Sequence, residues 1–225
     1  MPSKPVWLDF SLPVHNGMPV YPGDPPVRIE HFLEHGRDSL QASVLSMSCH
    51  AGTHLDVPRH YLPQGPSVDM LDPGRFTGPA YIAAAVYNGR GEINLDALDL
   101  SGLVPGDSLL LATGWDQNRG QAAYYQNIPC FAPGAGACLV QLQIGFFGLD
   151  LPTVGEAGSE PAAMHQTLLS RDIVIIESLS GLVPLVGKRV QLFAFPLLLP
   201  GSDGSPVRAC GYLLGSNCIL VPDGL

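Results

Sequence analysis

The segment His50-Ala-Gly-Thr-His54-Leu-Asp56-Val-Pro-Arg-His60 constrains this chain more than any other. Three imidazoles and a carboxylate fall within eleven residues of a protein that has seven histidines in all. Neutral imidazole and carboxylate are the ligands expected of a divalent ion such as Zn²⁺ or Mn²⁺, with no thiolate required. Backbone geometry limits how they can meet. On a helix turning about 100° per residue, His50 and His54 stand about 40° apart, while Asp56 lies about 240° from His50. Pro58 lacks an amide donor and Gly52 weakens a helix interior, so a helix is disfavoured. In an extended chain all four side chains share parity and point to one side. A straight strand still leaves His50 and Asp56 roughly 20 Å apart at about 3.3 Å per residue, too far for one ion. The segment must turn sharply, and Gly52 and Pro58 equip it to do so. The sequence predicts a strand-to-loop ligand cradle.

One segment seldom completes a ligand shell. The only histidine after His60 is His165, in a stretch where Pro161 suits a first helical turn. Met164 and Leu168 make an apolar helical face with His165 on its border. Next come four β-branched residues, Ile173 to Ile176, which read as a buried strand with Glu177 at its end. A carboxylate directly after a buried strand calls for a cation or hydrogen-bond donors. Taken singly, Glu177 reads as a strand-end surface residue and His165 as an ordinary partly buried histidine.

Together these residues resemble the cyclase-type metal hydrolases, a family that includes bacterial kynurenine formamidase and isatin hydrolase. Their pattern is H-x-G-T/A-H-x-D-x-P-x-H, followed about a hundred residues later by H-x₁₁-E. His50, Gly52, Thr53, His54, Asp56, Pro58 and His60 fill the first part, and His165 and Glu177 the second. Leu8-Asp9-Phe-Ser11, Tyr21-Pro-Gly-Asp24, Thr113-Gly114-Trp115 and Asp203-Gly-Ser-Pro-Val-Arg208 fit the flanks, so the likeness covers nearly the whole chain. It implies a centre of one or two Zn²⁺ ions, with Mn²⁺ as the alternative. His50, His54 and Asp56 would hold one ion. Asp56 would bridge to a second held by His165 and Glu177, with His60 free as general acid/base. Tyr21, where formamidases usually carry tryptophan, would contact substrate. The implied fold is a strand-rich α/β domain of swivelling β/β/α type, with a barrel-like sheet core and few helices, assembling as a homodimer or homotetramer.

The chemistry expected is hydrolysis of an amide, lactam or ester of a small aromatic or cyclic substrate. A divalent ion brings the pKa of bound water to about 7 and takes up charge as the carbonyl becomes tetrahedral. His60, four residues beyond a ligand, would accept the proton and return it to the leaving group. The alternative is a polyketide-type cyclase or dehydratase using the ion as Lewis acid, and a metal-binding protein without catalysis ranks below both.

Composition agrees. A chain of 225 residues suits one domain over 1–225, and its formal charge of −9 disfavours nucleic acid or an anionic membrane as partner. No apolar run approaches 18 residues, and Met1-Pro-Ser-Lys-Pro lacks the apolar core of a signal peptide. Five unpatterned cysteines, including Cys218, fit reduced thiols in a cytoplasm; Cys49 abuts His50 with the wrong parity for a ligand. Strands are expected at Ala80–Val86, Leu109–Ala112, Leu139–Leu142, Ile173–Ile176 and Val190–Leu199. Helices are expected near 161–170, with Leu95–Leu100 and Gln117–Gln126 as further candidates. Asp24 reads as a turn residue beside the pocket. Asp150 reads as either a support for a ligand histidine or a strand-ending carboxylate. Arg208 reads as a structural ion-pair partner or as a clamp on a substrate carboxylate. Of Phe10, Tyr21, Tyr61, Trp115 and Phe131, core packing claims most, leaving Tyr21 as the site candidate.

Overall fold

Apolar runs without polar alternation belong to strands covered on both faces, and the centre of this molecule is built that way. The computed structural model describes residues 5–160 and 162–215; Pro161 and Cys218 lie outside them. The strands are β1 (Leu8–Asp9), β2 (Arg28–Leu33), β3 (Ala42–Ser46), β4 (His54–Asp56), β5 (Thr77–Ala84), β6 (Ser108–Ala112), β7 (Phe146–Leu149), β8 (Val174–Glu177), β9 (Arg189–Phe193), β10 (Gly204–Pro206) and β11 (Cys210–Leu213). Nine form one sheet in the order β1-β11-β9-β5-β6-β7-β8-β4-β10, and β2 and β3 make a separate hairpin. Neighbours from β5 to β8 run parallel, with antiparallel strands flanking them on either side.

Side-chain parity divides the core into two layers. Leu110, Ile82, Ile176 and Leu192 face one cluster, which the curling of the sheet into a half-barrel closes over with Leu55 and Val57. Leu109, Leu111, Phe147 and Ile175 face the other, covered by helices α1 (Ala135–Gln141) and α2 (Ala163–Leu169). Each fully buried leucine contributes about 1.5–3 kcal/mol, so both layers are needed to hold the parallel centre together. The fold is therefore strand-rich α/β, with these two the only α-helices among the described residues. Neither is long and apolar enough to cross a membrane.

Local expectations fare unevenly. Leu139–Leu142, expected as a strand, lies at the end of α1, where Leu139 and Ala135 stand one turn apart and both enter the core. The strand of that region is β7, whose pattern Gly148 interrupts. A Cβ at Gly148 would lie 2.5 Å from Leu110, so close packing requires the gap. Val190–Leu199 is strand only to Phe193, with Pro196 and Pro200 marking the extended segment beyond it. Neither Leu95–Leu100 nor Gln117–Gln126 is an α-helix: the first holds one 3₁₀ turn, Leu95–Ala97, and the second the end of Trp115–Asn118 and all of Ala122–Tyr125. The β2–β3 hairpin, rich in charge, carries no apolar run to announce it.

Candidate metal centre

The ligand cradle turns where glycine and proline allow. Gly52 takes φ +69°, a left-handed conformation that brings the chain round before β4. Pro58 opens the 3₁₀ turn Pro58–His60 just after it. On β4 itself, His54 and Asp56 share a face while Leu55 enters the core behind them. Thr53 locks the turn to its surroundings: its hydroxyl donates to Ser178 O (2.6 Å) and accepts from Leu12 N–H (2.8 Å). The result folds back the separation that a straight strand would impose, and His50 Nδ1 stands 2.8 Å from Asp56 Oδ1.

Two further elements converge on β4. Strand β8 pairs with it so that Glu177 stands opposite His54. Helix α2 buries Met164, His165, Leu168 and Leu169 against the sheet, which points His165 inward. His54 Nδ1–H donates to Gly52 O (2.9 Å), leaving Nε2 to face Asp56 Oδ1 at 3.5 Å and Glu177 Oε2 at 3.4 Å. His165 Nε2 lies 3.3 Å from Glu177 Oε1 and 3.8 Å from Asp56 Oδ2. Two ligands bound about 2.0–2.1 Å from one tetrahedral ion stand about 3.3–3.4 Å apart. The 3.3 and 3.4 Å separations match that spacing, the 3.5 Å one lies close to it, and the 3.8 Å one is wider.

His54, Asp56, His165 and Glu177 are all at most 3% exposed. Asp56 Oδ2 is buried without a hydrogen-bond partner among the described residues, an expensive state for a carboxylate that no cation meets. Ligand atoms of His50, His54 and Asp56 lie within 4.8 Å of one another, and so do those of Asp56, His165 and Glu177. Asp56 is common to both groups. A third group of the same tightness joins His50, His60 and Asp203.

The carboxylates create a strong demand for positive charge. Burial disfavours a charged His50, yet hydrogen bonds to Asp56 and Asp203 outweigh it and lift its pKa to about 9. Burial likewise opposes charge on His54, and the Glu177 and Asp56 carboxylates overcome it. Asp56 is held below the ordinary carboxylate range: the histidines around it prevail over desolvation. A divalent cation answers the same demand with imidazoles left neutral as ligands.

His60 stacks on His50 with ring centroids 4.0 Å apart, and its Nδ1 meets Asp203 Oδ2 at 3.1 Å. Burial holds its pKa below the ordinary histidine value. Asp203 is the residue that sequence reasoning passed over. Its carboxylate accepts from both His50 Nε2 (2.9 Å) and His60 Nδ1. The only signal was its place at the head of Asp203-Gly-Ser-Pro-Val-Arg208. Gly204 next to it is what lets β10 approach His50 so closely.

A pocket of about 300 Å³ opens over the centre, lined by His50, His54, His60, His165 and Glu177 with Tyr21, Asp24 and Tyr61. Every site residue expected from sequence therefore lines this pocket or, in the case of Asp56, lies directly beneath it. Asp24 both closes a turn on Tyr21 O and lines the pocket. Cys49 Sγ contacts Ser202 Oγ at 3.4 Å and belongs to none of the ligand groups. Arg208 is spent on Asp9 in an exposed ion pair. Among the described residues Asp150 bonds no histidine; it accepts from Thr113 N–H and Gly114 N–H and fixes the loop after β6.

The family model described as "Putative cyclase" matches residues 8–156. The chain belongs to this cyclase family. Among curated members, it is 33% identical over 206 residues to kynurenine formamidase of Bacillus mycoides, covering 90% of this chain and 95% of that enzyme. Kynurenine formamidase of Paracidovorax citrulli is 32% identical over 215 residues, covering 89% and 94%. The fold matches an isatin hydrolase solved with the product analogue thioisatinate, at a TM-score of 0.79, 22% identity and 92% coverage of both chains. The solved structure of a potential metal-dependent hydrolase with cyclase activity matches at a TM-score of 0.74 and 27% identity, covering 92% of this chain and 97% of that one.

Proposed function

We propose that this cyclase-family protein is a metal-dependent hydrolase that cleaves the C–N bond of a formamide or lactam in a small aromatic or cyclic substrate, with esters as related targets. The observation that carries the reading is the spacing of His54 Nε2 and His165 Nε2 from the carboxylates of Asp56 and Glu177, at 3.3 to 3.8 Å about a buried, unpartnered Asp56 oxygen. Curated kynurenine formamidases at 32–33% identity support the amide.

His50, His54 and Asp56 would hold one ion, and Asp56, His165 and Glu177 a second. Zinc is the expected ion, and manganese suits the same nitrogen and oxygen donors. When bound, a divalent cation supplies Lewis acidity and lowers the pKa of water to about 7. The remaining work falls to the chain itself. With Nδ1–H donated to Asp203, His60 keeps Nε2 to accept a proton from the nucleophile and return it to the leaving nitrogen. Asp203 fixes that tautomer and the ring's orientation. Tyr21, half exposed at the pocket, lays an aromatic surface beside the substrate.

The test pairs elemental analysis of protein purified without added metal with assays on aryl formamides, lactams and esters. Zinc or manganese at one or two ions per chain, with formate released from a formamide, is the expected result. His60→Ala should keep its metal while kcat falls by about 10²–10⁴. Loss of metal in that variant makes His60 a ligand, which the His50–His60–Asp203 group would accommodate. No turnover of any amide or ester by fully metallated protein favours the cyclase or dehydratase reading, in keeping with the cyclase activity ascribed to the 27% identical structural relative.

A further inference from the structure

Tyr61 follows His60 in the chain and closes the 3₁₀ turn Pro58–His60, its N–H donating to Pro58 O. From that turn the two neighbouring side chains diverge. His60 lies on the imidazole proposed for the first ion, stacked on His50 with centroids 4.0 Å apart. Tyr61 lies on the imidazole proposed for the second, its ring 4.5 Å from that of His165 and tilted by 30°. His60 and Tyr61 also meet edge to face, at 4.4 Å. The Tyr61 ring packs on the helix-covered core cluster, so it has little room to swing away.

The hydroxyl at the end of this fixed ring is uncommitted. Tyr124 nearby donates its own hydroxyl to Asp150 O at 3.3 Å, whereas that of Tyr61 makes no hydrogen bond among the described residues. The Tyr61 oxygen is not sealed in the core either, and it opens on the pocket that Tyr61 lines. The groups whose charges reach it are the carboxylates of Asp56 and Glu177 and the phenol of Tyr21. All three belong to the centre or to its pocket, so the hydroxyl faces the centre rather than the outer surface. A phenol whose ordinary pKa is about 10 is a neutral donor near pH 7.

We propose that Tyr61 is a catalytic residue whose hydroxyl donates to the carbonyl oxygen of the substrate as negative charge gathers there. This inference rests on the hydrolase reading and gives that site a second working side chain beside His60. Water adds to the carbonyl carbon with its proton passing to His60 Nε2, and the C=O electron pair moves onto oxygen. Tyr61 donates a hydrogen bond to that oxygen and keeps its proton throughout. On collapse the pair re-forms C=O, the C–N bond breaks, and His60 returns the proton to the departing nitrogen. A fixed donor aimed where charge develops strengthens in the transition state more than in the bound substrate.

The test compares metal-loaded wild type and Tyr61→Phe on an aryl formamide and on the matching thioformamide. The variant keeps the ring and should bind metal at wild-type stoichiometry by elemental analysis. Its kcat on the formamide should fall by about 10²–10³-fold with KM nearly unchanged, so that kcat and kcat/KM fall together. Sulfur is a weak hydrogen-bond acceptor, so on the thioformamide the gap between wild type and variant should shrink to below about 10-fold. A merely structural Tyr61 would slow both substrates alike, and that result overturns the proposal. A raised KM at constant kcat overturns it too, as does loss of metal from the variant, which would make Tyr61 a ligand. Active wild type matched by an equally active variant overturns Tyr61 alone and leaves the hydrolase standing. Loaded wild type that hydrolyses neither substrate overturns the hydrolase reading, and this inference with it.

Discussion

Replacing Gly204 with alanine tests whether the metal centre depends on how closely β10 approaches it. A Cβ at this position would lie 2.7 Å from His50 Cε1 and 2.7 Å from Leu55 O. Ordinary contacts begin at about 3.4 Å, so each atom would have to retreat by roughly 0.7 Å. Leu55 O belongs to β4, which is hydrogen-bonded to β8 on one side and β10 on the other, so it yields little. The His50 ring is also held, by Asp56 Oδ1 at 2.8 Å and Asp203 Oδ2 at 2.9 Å. Something must break, and the ring contacts are the softer part. Overpacking of this kind costs about 1–3 kcal/mol. With a urea slope of about 2 kcal/mol/M, the unfolding midpoint should drop by about 1 M. Displacing His50 should also weaken metal binding by about 10- to 100-fold, measured by competition with a chelator. Gly36→Ala is the control: nothing lies within 4 Å of a Cβ there, and it should change stability by no more than about 1 kcal/mol, upward if at all. A Gly204→Ala protein with wild-type midpoint and metal affinity would refute the close-approach reasoning.

Neighbouring contacts carry two other predictions. Asp203→Asn should lower kcat by about 10- to 100-fold at saturating metal, because the carboxylate that fixes the His60 tautomer is gone; unchanged turnover would remove Asp203 from the mechanism. Asp150 governs a pH dependence of stability. Burial pushes its carboxyl up to about 6, against the hydrogen bonds from Thr113 and Gly114 that favour the anion. The folded state thus holds this proton more tightly than an unfolded chain titrating near 3.8, and stability must fall as pH rises through that interval. The stability difference between wild type and Asp150→Asn should therefore shift by about 2 kcal/mol between about pH 4 and pH 7, with wild type losing ground. A difference that stays flat across that range in urea titrations would refute the assignment.

The legible parts of this molecule are those where one residue type can do only one thing in its position. Gly52 and Pro58 had to turn the chain because straight geometry kept His50 from Asp56, and the turn lies where they predict it. The β-branched run before Glu177 had to be a strand covered on both faces, and β8 is one. Less legible were features created by distant packing. Leu139–Leu142 has the composition of a strand, yet the neighbouring α2 gives its apolar face something to cover as a helix. Asp203 lies 143 residues from His60, and no local periodicity links an aspartate in the bend before β10 to an imidazole that it orients.

The arrangement of the sheet explains why these groups collect at one place. Strands β6, β7 and β8 run parallel, so their carboxyl ends open on the same edge. In open parallel sheets that edge is where ligands bind, because the chain leaves each strand there in loops free to carry function. Thr113 follows β6, Asp150 follows β7 and Glu177 ends β8. Asp150 ties the first two loops together, and Tyr124 donates its hydroxyl to Asp150 O at 3.3 Å. Glu177 Oε1 in turn accepts from Val154 N–H at 3.1 Å, in the loop after β7. The antiparallel β4 then enters beside β8 and delivers His54 and Asp56 to the same edge from the opposite direction. A buried carboxylate at the end of a central strand would be a liability in an all-parallel sheet. Here β4 brings it His54 and α2 brings it His165, and the centre forms where strands of opposite sense meet at Glu177.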